Sequence, residues 1–224
     1  MQADALDFQR DGARFFPAVL SPAKVAQLID VFGDDPVQAG VRLTGLAGLL
    51  PFLEIPGPVA GVAATVLGPT ARPVRAVLFD KTASVNWALG WHQDRTIVVT
   101  ERRDVVGFGP WSIKSGLQHV EPPFAILERM VTVRVHLDPV GPDNAALLIV
   151  PGSHRMGRIP QGDIEATAAR MGSYTCLADV GDVWLYATPI LHASDAARVP
   201  ARRRVLQVDY SAEDLPAGLM WLGI

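Results

Sequence analysis

Apolar and polar residues follow two rhythms along this chain. After Ser21-Pro22, residues Val25, Leu28, Ile29 and Phe32 recur at three- and four-residue intervals, the spacing that lines one face of a helix. Ser21 is placed to cap that helix, and Pro22 suits its first turn. A second short helix is predicted from Pro58 to Leu67, closed by Gly68-Pro69. From Pro73 onward the pattern changes to short runs rich in β-branched and aromatic residues: PVRAVLFDK, WHQDRTIVVT, MVTVRVHLD, AALLIVP, DVWLYATPILHAS and RRVLQVDYS. Turns rich in Gly, Pro, Asp and Asn separate them. Six or more such runs with no helix between each pair predict an antiparallel sandwich or barrel. The expected class is mainly β (α+β) with flanking N-terminal helices. No repeat, low-complexity tract or linker divides residues 1–224, so one domain is expected. Residues 102–129, which contain GFGPWSIKSGLQHVEPP, interrupt the strand series and read as a long functional loop.

Composition narrows the class. With 224 residues, 49% of them hydrophobic, the chain can bury a substantial core. Its 20 basic and 23 acidic side chains give a net charge of −3. No positive excess is available for a phosphate backbone, so nucleic acid is not the expected partner. No apolar run approaches the roughly 18 residues of a membrane span. The opening MQADALDFQRDGARFF lacks the basic patch and apolar run of a targeting signal. Cys176 is the only cysteine, which excludes an intramolecular disulfide and fits a reducing cytoplasm. Its expected role is inert core.

Candidate chemistry begins with the five histidines. In Trp91-His92-Gln93-Asp94, the imidazole and carboxylate stand at i and i+2. On an extended strand both project to one side and can converge on an ion. His192 lies 98 residues after Asp94, at the end of DVWLYATPILH. Two histidines and one carboxylate on one face of iron leave three open positions, the arrangement of non-haem Fe(II) oxygenases. If 2-oxoglutarate fills two of those positions, its far carboxylate needs a fixed cation, which arginine supplies as a planar fork. Arg203 follows His192 by 11 residues at the head of RRVLQVDY. Arg202 and Arg204 should point the other way on a strand, as a solvated charge cluster.

WHQD, HLDPVGPDNAALLIVPGSHRMG and GDVWLYATPILHAS with its following arginine together resemble the phytanoyl-CoA dioxygenase family. FQRDGARFFPAVLSPAKVAQLID resembles that family's opening. The resemblance implies a double-stranded β-helix, or jelly roll, that holds Fe(II) and uses 2-oxoglutarate and O₂ on a small-molecule substrate. It implies His92, Asp94 and His192 as metal ligands and catalytic centre, and Arg203 with Ser194 as the grip on 2-oxoglutarate. Lys81 and Arg134 are further candidates for that pocket. Because Asp94 retains the carboxylate that related halogenases lack, hydroxylation is the expected outcome. The family's Asn-Gly-x-Leu is here Asn144-Ala145-Ala146-Leu147, so the backbone must turn without a glycine. The alternative is a jelly-roll binding or sensor protein that catalyses nothing.

The remaining candidates have plainer readings. His154, in PGSH, is expected to be structural, His136 a satisfied core histidine, and His119 a solvated loop residue, with a substrate contact from the long segment as its alternative. Trp91 and Trp111 are expected to pack. Arg95, Arg102, Arg103 and Lys114 lie on or near the long segment and point to an anionic small molecule as substrate.

Overall fold

Strand pairing in this protein separates an apolar sheet face from a polar one. The computed structural model describes residues 6–33 and 40–224; the expectation about a targeting signal falls partly on residues 1–5, outside them. The chain opens with α1 (Phe8–Asp11), β1 (Ala13–Phe16), α2 (Pro22–Phe32), β2 (Gly40–Leu43), α3 (Leu50–Leu53) and α4 (Pro58–Leu67). It continues with β3 (Arg72–Lys81), β4 (Leu89–His92), β5 (Ile97–Val99), β6 (Trp111–Lys114), β7 (Leu117–Val120) and α5 (Phe124–Glu128). The last third holds β8 (Val131–His136), β9 (Leu147–Ile149), α6 (Ile164–Met171), β10 (Tyr174–Cys176), β11 (Val183–Ala187), β12 (His192–Ser194) and β13 (Arg203–Ser211). Both predicted helices are present, and Ser21 Oγ accepts the Lys24 amide at 3.4 Å as the cap.

A six-stranded antiparallel sheet runs in the order β1-β11-β8-β13-β3-β2. Because side chains alternate across a strand, Val131, Val133 and Val135 fall on one face with Val183, Leu185, Leu206 and Val208. There they pack against Val25, Leu28, Leu53, Val59 and Ala63 of the helices. The opposite face carries Lys81, Thr132, Arg134, His136, Arg203, Gln207 and Asp209, all buried. A buried face this polar is costly unless its groups are paired with one another or with a ligand.

A four-stranded sheet, β10-β9-β12-β4, lies over that polar face. Its Leu147, Ile149 and Cys176 pack against Trp184 and Tyr186 of β11. Burial pushes the Cys176 thiol up, which keeps it inert. The turn into β11 depends on Gly181: its φ is 86°, and a Cβ there would stand 2.1 Å from the Leu20 carbonyl oxygen. Across the same sheet region Ala145 adopts φ 54°, so the backbone keeps the left-handed turn without glycine, at a cost of roughly 1–2 kcal/mol.

The chain departs from the expected pattern in two places. Residues 102–129 are not a loop but contain the β6–β7 hairpin and α5. The hairpin joins β5 in a third sheet, β5-β7-β6, over a core of Val74, Ile97, Val120, Leu127 and Leu219. Turn residues Ser115-Gly116 at positive φ close the hairpin, too short for its strands to stand out in sequence. Helices α5 and α6 also intervene in the strand series, contrary to an uninterrupted run of strands. Among the described residues, no single helix is long and apolar enough to cross a membrane.

Candidate metal centre and anion pocket

The β12–β4 pairing brings His192 directly opposite His92, although 100 residues separate them in the chain. The ring centroids are 4.2 Å apart. Ligand atoms of His92, Asp94 and His192 all lie within 4.8 Å of one another, close enough for one cation. His92 Nδ1 lies 2.8 Å from the Gly90 carbonyl and His192 Nδ1 lies 3.0 Å from that of Ile190. A carbonyl oxygen only accepts, so each Nδ1 carries the proton and each Nε2 keeps its lone pair for a metal. Burial, with His92 beside it, pushes His192 down to about 4, which also keeps it neutral and ready to ligate.

Two residues hold this arrangement and escape a reading of motifs. Gln93, between the ligands, points away from them. Its amide donates to the Gly157 and Pro189 carbonyls at 3.0 and 2.8 Å and accepts from the Ile159 amide at 3.0 Å. Arg75 donates through Nη2 to Asp94 Oδ2 at 3.3 Å and through Nε to Asp209 Oδ2 at 2.5 Å. Asp209 also accepts from Thr132 at 3.0 Å. Burial alone would raise the Asp94 carboxyl, but Arg75 and the two imidazoles outweigh it and hold Asp94 below the usual carboxylate range. An isolated arginine or Gln gives no sequence signal; only strand alternation places Arg75 on the inner face.

The triad lines a cavity of about 300 Å³ that also contains Lys81, Arg134, Ser194 and Arg203. Lys81 Nζ donates to the carbonyls of Trp87 and Asp195 and to Ser194 Oγ, at 2.7, 3.2 and 3.1 Å. Ser194 Oγ in turn donates to the Ala145 carbonyl at 3.0 Å. Arg134 donates to Gln207 at 3.1 Å. Nε and Nη1 of Arg203, though buried, have no hydrogen-bond partner, nor does Nε of Arg134. Among the described residues, none of these three cations has an acidic partner. Burial, with Arg203 and Arg134 nearby, pushes Lys81 down to about 8, and burial with Arg134 pushes Arg203 down. Unpartnered buried guanidinium nitrogens are suited to receive a carboxylate. The donor set therefore fits both Fe(II), with two imidazoles and a carboxylate, and an anionic co-substrate.

The other candidates lie elsewhere or are already engaged. His154 packs against Gly12, away from the triad. Ser153 of the same turn accepts the Leu191 amide at 2.9 Å and so steadies the approach to His192. His119 is fully buried rather than solvated, and its Nδ1 donates to the Leu117 carbonyl at 3.0 Å. His136 is buried but not satisfied: neither ring nitrogen has a partner. Arg202 and Arg204 do point away from the pocket, yet they are ion-paired, to Asp80 and Asp138, rather than merely solvated. Arg95 donates to the Ile159 carbonyl, and Arg102 and Arg103 pair with Asp104 and Glu101. Of that group only Lys114 faces the cavity. Trp91 packs against the Val150–Ile164 cluster and Trp111 against the third sheet's core.

Comparison with known proteins agrees with this geometry. AviO1 from Streptomyces viridochromogenes Tue57 is 23% identical, with 94% of this chain and 92% of that chain covered and a TM-score of 0.62. The apo form of EctD from S. alaskensis is 18% identical over all of this chain and 83% of that one, with a TM-score of 0.68. HygX from Streptomyces hygroscopicus, determined with iron bound, is 15% identical over 91% and 83%, with a TM-score of 0.61. At these identities the likeness establishes a shared fold. No curated protein matches the chain in sequence. The sequence pattern of phytanoyl-CoA dioxygenase (PhyH) matches residues 58–205, a span that includes the triad and Arg203. The chain belongs to the phytanoyl-CoA dioxygenase family.

Proposed function

We propose that this protein is an Fe(II)- and 2-oxoglutarate-dependent dioxygenase that hydroxylates a C–H bond of a small organic substrate within a single double-stranded β-helix domain. One observation carries the reading: three metal-ligating side chains converge at one end of a cavity whose other end holds buried cations with no acid among them. His92, Asp94 and His192 would hold Fe(II) through two Nε2 atoms and one carboxylate oxygen. Bound with 2-oxoglutarate and O₂, the metal would supply the oxidant for hydroxylation, with succinate and CO₂ as co-products.

The chain's own residues supply position and exclusion of water. Arg203 would receive the distal carboxylate of 2-oxoglutarate on its free guanidinium edge, with the charge of Lys81 beside it and Ser194, which accepts from Lys81 and donates to the Ala145 carbonyl, fixing that lysine in place. Arg134, on the neighbouring strand, adds positive potential. Arg75 keeps Asp94 ionised and aimed. The packed contact of Leu147 and Ile149 with Trp184 and Tyr186 closes the cavity on one side.

Anaerobic addition of Fe(II) and 2-oxoglutarate should produce the weak visible charge-transfer absorption of a chelated keto acid. Aerobic incubation with a metabolite library should then consume 2-oxoglutarate. His92→Ala and Asp94→Ala should abolish the absorption by losing the metal. Absence of both absorption and turnover in the wild type would leave the alternative, a jelly-roll binding protein.

A further inference from the structure

The cavity holds two cations that neither the metal nor the co-substrate engages. Arg42, on edge strand β2, is the register partner of Val77 and lines the cavity from that edge. Val77 is four residues along β3 from Lys81, a distance of roughly 13 Å, so Arg42 stands well apart from the proposed 2-oxoglutarate grip. Lys114, at the end of β6, is exposed and lines the same cavity, and its chain neighbour Ser115 accepts from Arg42.

Among the described residues neither cation meets a carboxylate. Arg42 has two contacts, Nε to His119 Nε2 and Nη1 to Ser115 Oγ, both 3.4 Å and both to neutral groups. Charge-assisted bonds are shorter, about 2.7–2.9 Å. Burial, with Arg42, Lys114 and Arg75 nearby, pushes His119 below its usual value, so it stays neutral and cannot compete for an anion. Arg75 is compensated by Asp209 and Asp94. The Fe(II) charge meets Asp94 and the keto acid, and the distal carboxylate meets Arg203 and Lys81. Arg134, bonded to neutral Gln207, stays at the Arg203 end; the positive charge left over on the β2–β6 side of the cavity sits at Arg42 and Lys114.

We propose that the substrate carries an oxyanion (carboxylate, phosphate or sulfate) that Arg42 and Lys114 receive at the cavity rim while its reacting carbon lies over the metal centre. This rests on the oxygenase reading above. Arg42 offers a planar fork held by its strand, and Lys114 a mobile point charge at the solvent edge. A cavity of about 300 Å³, at the small end for ligand pockets and shared with the co-substrate, puts the anion and the reacting carbon on one small molecule.

The test uses the full chain loaded anaerobically with Fe(II) and saturating 2-oxoglutarate, so that Arg203 and Lys81 are occupied. Sulfate and inorganic phosphate are titrated while tryptophan fluorescence is read; Trp87 lines the cavity. Wild type should show saturable binding, at least about tenfold weaker in the Arg42→Gln/Lys114→Gln variant. The charge-transfer absorption reports whether the variant's metal site is assembled, and Arg42→Lys should restore part of the affinity. In a turnover screen of matched acids and their neutral amides, the acids should be preferred at least about tenfold, a preference the double variant loses. Equal anion binding by wild type and variant, or equal turnover of amides, overturns the proposal. If the absorption never forms, the oxygenase reading fails instead, and the anion titration is repeated on an Arg203→Met background, where binding that Arg42→Gln/Lys114→Gln weakens still assigns the anion to Arg42 and Lys114 and equal binding overturns it.

Discussion

Arg203 and Lys81 stand directly opposite one another across the β13–β3 pair, two buried cations in register. Like charges so placed destabilise a sheet, and a buried charge without a partner is costly. The metal-free, ligand-free protein therefore carries strain that an anion relieves. Arg203→Met should raise the melting temperature of the apo-protein by several degrees. Removing an uncompensated buried charge is worth about 1–3 kcal/mol, and each kcal/mol shifts a domain of this size by about 2–4 °C. The same substitution should abolish the further stabilisation that 2-oxoglutarate gives the wild type. Calorimetry with and without 2-oxoglutarate checks both; a variant that melts lower yet still responds to 2-oxoglutarate would assign the carboxylate grip elsewhere.

In the proposed site Lys81 would give 2-oxoglutarate binding a pH dependence of defined sign. Burial, with Arg203 and Arg134 nearby, holds it at about 8 in the empty site, and only its protonated form attracts a carboxylate. Below pH 7 it is charged before and after binding, so affinity is flat. Above about 8 the free protein has lost the proton that the complex needs, and affinity falls by up to about tenfold per pH unit. Dissociation constants measured by calorimetry from pH 6.5 to 9.5 should show this fall in wild type. Lys81→Arg, charged throughout, should flatten it; an unchanged slope would mean another group titrates.

The Arg75 bridge between Asp94 and Asp209 predicts a separation of stability from metal affinity. Arg75→Met leaves Asp209 buried without its cation, which should cost about 3–5 kcal/mol. Adding Asp209→Leu should recover most of that loss. Metal affinity should stay about 10–100-fold down in the double variant, the usual cost of losing a group that orients a ligand. Co(II) titration by visible absorption measures it in the absence of turnover. Wild-type affinity in Arg75→Met/Asp209→Leu would show that Asp94 needs no positioning.

His92, Asp94, His192 and Arg203 were legible in the sequence because each sits in a motif of fixed local spacing, and the β4–β12 register converts those spacings into convergence. The same holds for α4, whose proline and glycine mark both ends. Arg75, Arg42 and Asp209 were not legible. Each is a single polar residue in a strand, and its meaning depends on which face the sheet buries and which strand lies beside it. The β6–β7 hairpin was hidden by brevity, four residues on each side. The burial of His119 and the unpartnered ring of His136 are not legible either, because both are set by neighbours distant in the chain. Ala145 shows the converse: the sequence says that the backbone there turns without a glycine, and it does so at φ 54°, held by the Ser194 bond to its carbonyl and by the flanking strand.

His136 predicts how the protein responds to acid. Its ring is fully buried, and burial, with Arg134 and Arg203 nearby, pushes it down to about 3, against roughly 6.5 in an unfolded chain. The native state holds His136 neutral, so as pH falls below about 6.5 the unfolded chain takes up a proton the folded one refuses. Stability from this residue is full above pH 6.5 and declines steadily toward pH 3. Between pH 7 and 5 the loss should be about 2 kcal/mol, from a slope of about 1.4 kcal/mol per pH unit. His192, at about 4, adds a loss of the same sign in metal-free protein. His136→Phe, an apolar ring of similar size, removes the His136 titration and leaves those of the other histidines in place. Urea unfolding of metal-free wild type and variant at pH 7 and 5 should therefore show the variant losing about 2 kcal/mol less, with His136→Leu as the second variant should phenylalanine overpack. Equal losses in all three proteins would mean that His136 finds a proton acceptor in the folded state.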